Sequence, residues 1–135
     1  MGRPVIYLDT NVIIRLVEGD AASRHPLETR LATSIGVPGS LLTSRLTRLE
    51  CRSKPLMLGD LVTLAQFETF FNGIEISVAE LSAAVIEKAT ELRARYRLRT
   101  PDALHYATAI ESSATVFLTG DLAFARCSEV DVELL

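Results

Sequence analysis

The chain has 135 residues, 48% of them apolar and 23% charged, which excludes a disordered segment and leaves enough length for one core-forming domain over residues 1–135. A net charge of −3 excludes a generally basic nucleic-acid binder, although all but Lys54 and Lys88 of the 14 basic residues are arginine. No apolar run reaches membrane-span length, and the N-terminus lacks the apolar stretch of a signal peptide, so a cytoplasmic protein with no membrane contact is expected.

Val5 to Leu8 is a short apolar run rich in strand formers. The period then changes: Val12, Ile13, Leu16 and Val17 share a helical face, so a helix is expected from Thr10 to Glu18, ending near Gly19. A weaker helix follows over 21–35, broken by Gly36, Pro38 and Gly39. Leu41 to Thr43 reads as a brief strand, and Ser44 to Lys54 as a helix stopped by Pro55. Asp60 caps a helix carrying Leu61, Leu64, Phe67 and Phe71, and Ile74 to Ile76 is extended.

The clearest stripe runs from Val78 to Tyr96 through Leu81, Val85, Ala89 and Leu92, and predicts one long helix. Thr100 and Pro101 start another, with Thr as cap and Pro in the first turn. Its run DALHYATAI is apolar almost all round and suits burial against a sheet. Thr115 to Leu118 is a compact strand, and Val130 to Leu134 alternates as an edge strand. Strands separated by helices imply an α/β/α sandwich on a parallel sheet, expected to have five strands. Ligands of such sheets sit beyond the carboxyl ends of the strands.

Four acids stand where that rule matters. Asp9 and Asp121 each follow an apolar strand directly, Asp102 lies in the first turn of the apolar helix, and Glu50 lies on the helix after the second strand. Each has a simpler reading. Asp9 and Asp121 serve as helix caps, Asp102 complements a helix dipole, and Glu50 pairs with Lys54 on the surface for roughly 0.3–0.5 kcal/mol. Taken together, carboxylates held on stiff elements around one crevice also describe a site for a hard cation. Converged acids repel one another and raise at least one pKa, so they call for such a cation or for a Lys or Arg from a partner.

The segments YLDTNVI, TRLECR, TPDALHYATA and FLTGDLAF resemble the ordered motifs of PIN-domain ribonucleases, in particular the VapC-type toxins of bacterial toxin–antitoxin modules. The likeness runs from Val5 to about Phe124, and its weight lies in four motifs occurring in order. It implies a PIN-like fold and a metal-dependent endoribonuclease, the toxin of a type II VapBC-like pair. It implies Mg²⁺ or Mn²⁺ held by Asp9, Asp102, Asp121 and Glu50, with Glu50 acting through water, and puts Asn11 and Thr119 in supporting positions. It further implies RNA as substrate, a cognate VapB-like antitoxin and a homodimer. Gly120 departs from the family, standing where many members carry Asn.

Other residues carry less. His105 lies three positions after Asp102 and shares its helical face; a packed histidine is the expected reading, against a metal ligand or general acid. Cys51 and Cys127 match no zinc or CxxC spacing and read as reduced thiols. Tyr7 and Tyr96 read as core or rim, His25 has no role, and Phe70 is a candidate for a partner interface or for the core. A phosphatase using Asp9 as nucleophile needs a second acid two residues on, where Asn11 stands. A nucleotide site needs a glycine-rich loop that DTNV lacks. The remaining alternative is a PIN-like module that binds RNA or protein without catalysis.

Overall fold

A computed structural model describes residues 3–135. Five parallel strands form one sheet in the order β3-β2-β1-β4-β5: β1 (Ile6–Leu8), β2 (Leu41–Ser44), β3 (Ile76–Ala79), β4 (Val116–Thr119) and β5 (Asp131–Leu134). The helices are α1 (Thr10–Glu18), α2 (Ala21–Leu31), α3 (Arg45–Leu58), α4 (Leu61–Phe71), α5 (Ala83–Tyr96) and α6 (Thr100–Glu111).

Alternation along the strands divides the apolar residues between two layers. Tyr7, Leu42 and Phe117 face α5 and α6, packing with Leu92, Ala103, Tyr106 and Phe124. Ile6, Leu8, Leu41 and Leu118 face the other way, onto Val12, Ile13, Leu27, Phe67 and Phe71 of α1, α2 and α4. The expected sandwich and its parallel sheet are both present. The strand order reverses at β1: chain order runs outward to β2 and β3 on one side, and β4 and β5 close the other. The neighbours β1 and β4 pair through Ile6–Val116, Tyr7–Phe117 and Leu8–Leu118, so Asp9 and Thr119 leave the sheet side by side.

Several expected boundaries move. Pro55 does not stop α3, which runs on to Leu58 and ends at Gly59 in a left-handed conformation (φ 66°). There the Gly59 N–H bonds to Leu56 O and the Asp60 N–H to Pro55 O, a glycine C-cap that the proline signal obscured. Val78 belongs to β3, not to a helix; its backbone pairs with Thr43, and α5 starts only after Ser82, whose Oγ accepts from the Val85 N–H at 3.2 Å. The strand itself lies at Ile76–Ala79 instead of Ile74 to Ile76. Residues 21–35 hold α2 and then a 3₁₀ turn at Ala32–Ser34. Thr100 is the first helical residue of α6 instead of its cap; Arg99 takes the cap position and makes no side-chain capping bond.

Phe70 is half-buried against the layer of Phe67 and Phe71. The exposed apolar residues gather instead around the α3–α4 turn, where Met57 is 78% and Leu61 74% accessible. Cys51 and Cys127 are both free and buried, and burial pushes their thiols up to about 12 and about 11. No helix among the described residues is long and apolar enough to cross a membrane.

Candidate active site

Asp9 caps α1 and is only 4% exposed. Its two carboxylate oxygens are held separately. Oδ1 accepts from the Thr10 N–H at 2.9 Å; Oδ2 accepts from Thr119 Oγ1 at 2.7 Å and from Asn11 Nδ2 at 3.1 Å. Capping and site geometry are therefore one arrangement. Burial raises the Asp9 pKa above the usual carboxylate range; His105 and the hydrogen bonds from Thr119 and Thr10 oppose this, and the charge of Asp102 adds to it.

Asn11 and Thr119 also tie the two strand ends together. Asn11 Oδ1 accepts from the Gly120 N–H at 3.0 Å, and Thr119 Oγ1 accepts from the Asp121 N–H at 3.0 Å. A Cβ built on Gly120 would stand 3.4 Å from Asn11 Oδ1, ordinary contact, so space does not demand glycine there. Asp121 caps the short turn Leu122–Phe124 through the Ala123 N–H at 2.9 Å.

Glu50 reaches this site from α3. Its Oε1 accepts from Thr10 Oγ1 at 2.7 Å and lies 2.6 Å from His105 Nε2. Burial works to raise the Glu50 pKa, but the hydrogen bonds from His105 and Thr10, with the nearby positive charge of Arg99, bring it below the usual value. The arginines that frame Glu50 in sequence turn elsewhere. Arg45 pairs with Glu80 at 2.9 Å, while Arg48 and Arg52 pair with Glu68 at 2.9 and 3.1 Å. Among the described residues no Glu50–Lys54 pair forms.

His105 is a packed histidine, as expected, at 2% exposure, and it packs beside Glu50 and Asp9. Its Nδ1 lies 2.7 Å from the Tyr7 hydroxyl, and its Nε2 is 3.9 Å from Asp9 Oδ1 in addition to its contact with Glu50. Burial pushes the Tyr7 phenol far up, so Tyr7 stays a neutral donor. A proton on Nε2 then satisfies both ring nitrogens at once. The spacing D-x-x-H was the available signal. Thr10, hidden inside LDTN, had none beyond its place next to Asp9.

Asp102 enters from the first turn of α6 and is paired with Arg99, whose Nε and Nη2 lie 3.1 and 3.4 Å from its two oxygens. The Arg99 pKa is raised first by that hydrogen bond and by the Asp102 charge, and also by Asp121 and Glu50. Asp102 and Asp121 line one open cleft of about 430 Å³, and Asn11 and Asp121 another of about 470 Å³. Of the four acids, Asp102 alone is paired directly with Arg99.

The fold has counterparts. The PIN domain family model matches residues 6–130, nearly the whole chain. The chain belongs to the PIN-domain family. Among solved structures, this PIN domain superposes on VapBC2 of Rickettsia felis bound to a promoter DNA fragment, with TM-score 0.76 and 17% identity over 96% of this chain and 98% of that one. A toxin–antitoxin complex from Klebsiella pneumoniae gives TM-score 0.67 and 25% identity over 93% and 94%. VapC20 of Mycobacterium tuberculosis, a toxin that cleaves the sarcin-ricin loop, gives 0.65 and 23% over 93% and 98%. Comparison with curated proteins finds no match.

Proposed function

We propose that this PIN domain is a metal-dependent endoribonuclease acting at Asp9, Glu50, Asp102 and Asp121, the toxin of a VapBC-like pair. The observation that carries the reading is Asp9, a buried carboxylate at the switch point of a parallel sheet, hydrogen-bonded by residues of both adjoining strand ends. The family match and the toxin structures named above support it.

The donor set fits a hard divalent ion in kind. Four carboxylates supply oxygen ligands and no thiolate intrudes, which suits Mg²⁺ or Mn²⁺. Burial and the charge of Asp102 both oppose ionisation of Asp9, a penalty that a cation relieves. Among the described residues, no three Asp, Glu, His or Cys side chains are already grouped as ligands; Glu50 is engaged by His105 and Asp102 by Arg99. Asp9, Asp102 and Asp121 would hold the ion, with Glu50 acting through water.

A divalent ion held by these carboxylates would supply Lewis-acid chemistry, easing deprotonation of water and offsetting charge on the phosphate. The chain's own residues do the rest. Asn11 and Thr119 fix the direction of Asp9, and His105 with Thr10 fixes Glu50. Glu50, held ionised, accepts a proton from the attacking water. The water oxygen bonds to phosphorus, one P–O ester bond breaks, and the leaving oxygen takes up a proton from solvent in the open cleft. The substrate is RNA, and a VapB-like antitoxin and a second copy of the chain are the partners. The exposed apolar side chains of Leu56, Met57, Leu61 and Val62 offer the antitoxin a surface to bury.

Incubating the purified chain with total RNA and sequencing the new ends tests this. Discrete cut sites are expected with Mg²⁺ or Mn²⁺ and none with excess chelator. RNA left intact under both conditions would instead favour a non-catalytic PIN-like binding module.

A further inference from the structure

The four acids provide for chemistry at one phosphate but not for holding the rest of a charged strand. The 430 Å³ cleft that Asp102 and Asp121 line is also lined by Arg97, Arg99 and Arg126. Three guanidiniums against two carboxylates make this rim locally positive in a chain of net charge −3. Their donors are not equally committed. Arg99 is engaged with Asp102, and Arg126 Nη2 donates to Tyr96 O at 2.8 Å. The exposed Arg97 side chain has no hydrogen-bond or ion-pair partner among the described residues. Arg93 and Arg95, its neighbours in sequence, are used elsewhere, on Leu98 O at 3.1 Å and on Glu129.

The backbone at Arg97 is unusual as well. It ends α5 with φ 58°, in the left-handed region where glycine is the least costly residue and arginine has no local advantage. Ser113 shares that geometry at φ 57° away from this cleft, so the conformation alone marks no site. What sets Arg97 apart is that the same turn brings it to the wall of a cleft containing two of the four acids. The first turn of α6 opens at the same place, with a cap residue that leaves its amides without a side-chain partner.

We infer that Arg97, with Arg126 and Arg99, forms a subsite for a backbone phosphate of single-stranded RNA, next to the phosphate cleaved at the acids. Guanidinium forks match phosphate oxygens, and an open, polar cleft suits a strand whose bases project away. The assignment rests on the ribonuclease reading. An Arg97→Gly substitution separates a binding role from a structural one because the two predict opposite signs. Glycine fits the left-handed turn better, so the variant should melt at the same temperature as the parent or higher. It should nonetheless lose RNA.

The measurement is fluorescence anisotropy of a short labelled single-stranded RNA of mixed sequence, on the full chain carrying Asp9→Asn to prevent cleavage. Arg97→Gly is expected to weaken binding about tenfold and to lower the slope of log K against log salt by about 0.7, one phosphate contact on a single strand. Arg126→Gln should act in the same direction. Unchanged affinity and slope in Arg97→Gly, with the parent binding RNA, would overturn the subsite and leave the ribonuclease reading standing. A parent that binds no RNA at any salt would overturn both.

Discussion

Asp9→Asn is expected to lower metal-dependent RNA cleavage by roughly a hundredfold or more, since even residues that only orient a metal ligand are worth about 10–100-fold. The substitution keeps size and shape, and an amide oxygen can still accept from the Thr10 N–H, so α1 keeps its cap. It replaces the oxygen that accepts from Thr119 and Asn11 with an amide nitrogen, and it removes the charge. That loss also has a signature in stability. The folded-state pKa of Asp9 lies above its unfolded value because burial disfavours the anion. Its contribution to stability is therefore fully present below the unfolded pKa and is lost as pH rises through the folded pKa. Without metal, the melting temperature of the parent should fall relative to Asp9→Asn as pH rises over that range. Cleavage by Asp9→Asn at close to the parent rate would contradict the assigned role.

His105→Ala should be among the most damaging single changes to stability, costing about 2–4 kcal/mol, or a drop in melting temperature of roughly 5–15 °C. The imidazole is buried between a β1 phenol and an α3 carboxylate, so alanine leaves a polar cavity lined by two groups that had shared one partner. Tyr7 loses the hydrogen-bond partner of its hydroxyl. Glu50 keeps only Thr10. Cleavage should fall along with stability, and His105→Gln, whose amide can donate to Glu50, should recover more activity than His105→Ala. A protein with unchanged melting temperature and activity would return His105 to the role of ordinary core residue.

The legible parts of the sequence are those where one local signal had one cause. Strands β1 and β4 stood out because short apolar runs were each followed by an acid, and the switch point between parallel strands then placed Asp9. Boundaries failed where two signals competed. Pro55 and Gly59 both announce a helix end, and the helix has enough packing through Cys51 and Pro55 to continue to the second. Val78 fits a helical stripe, yet its backbone is claimed by the ladder with β2, a long-range partner that periodicity does not reveal.

The site shows the same division. The acids and Asn11 are legible as candidates because each sits next to a strand end or within a motif. Arg99 and His105 could not be weighed properly. Their importance lies in pairing across 3 residues for Arg99–Asp102 and across 55 for His105–Glu50. The first looks like any surface ion pair, and the second exists only once α3 and α6 have packed. Likewise, nothing in YRLRT distinguishes Arg97 from Arg95 until the chain turns left-handed at Arg97 and brings it to the cleft.

The central claim is that these carboxylates form a cation site built on Asp9, and thermal unfolding with and without Mn²⁺ tests it most directly. A ligand bound only by the native state stabilises it by about 2.7 kcal/mol at a hundred times its dissociation constant, a rise of roughly 5–10 °C for a chain of this size. The parent should show that rise, and Asp9→Asn should lose most of it. No rise in the parent at saturating Mn²⁺, or an equal rise in Asp9→Asn, would contradict the account.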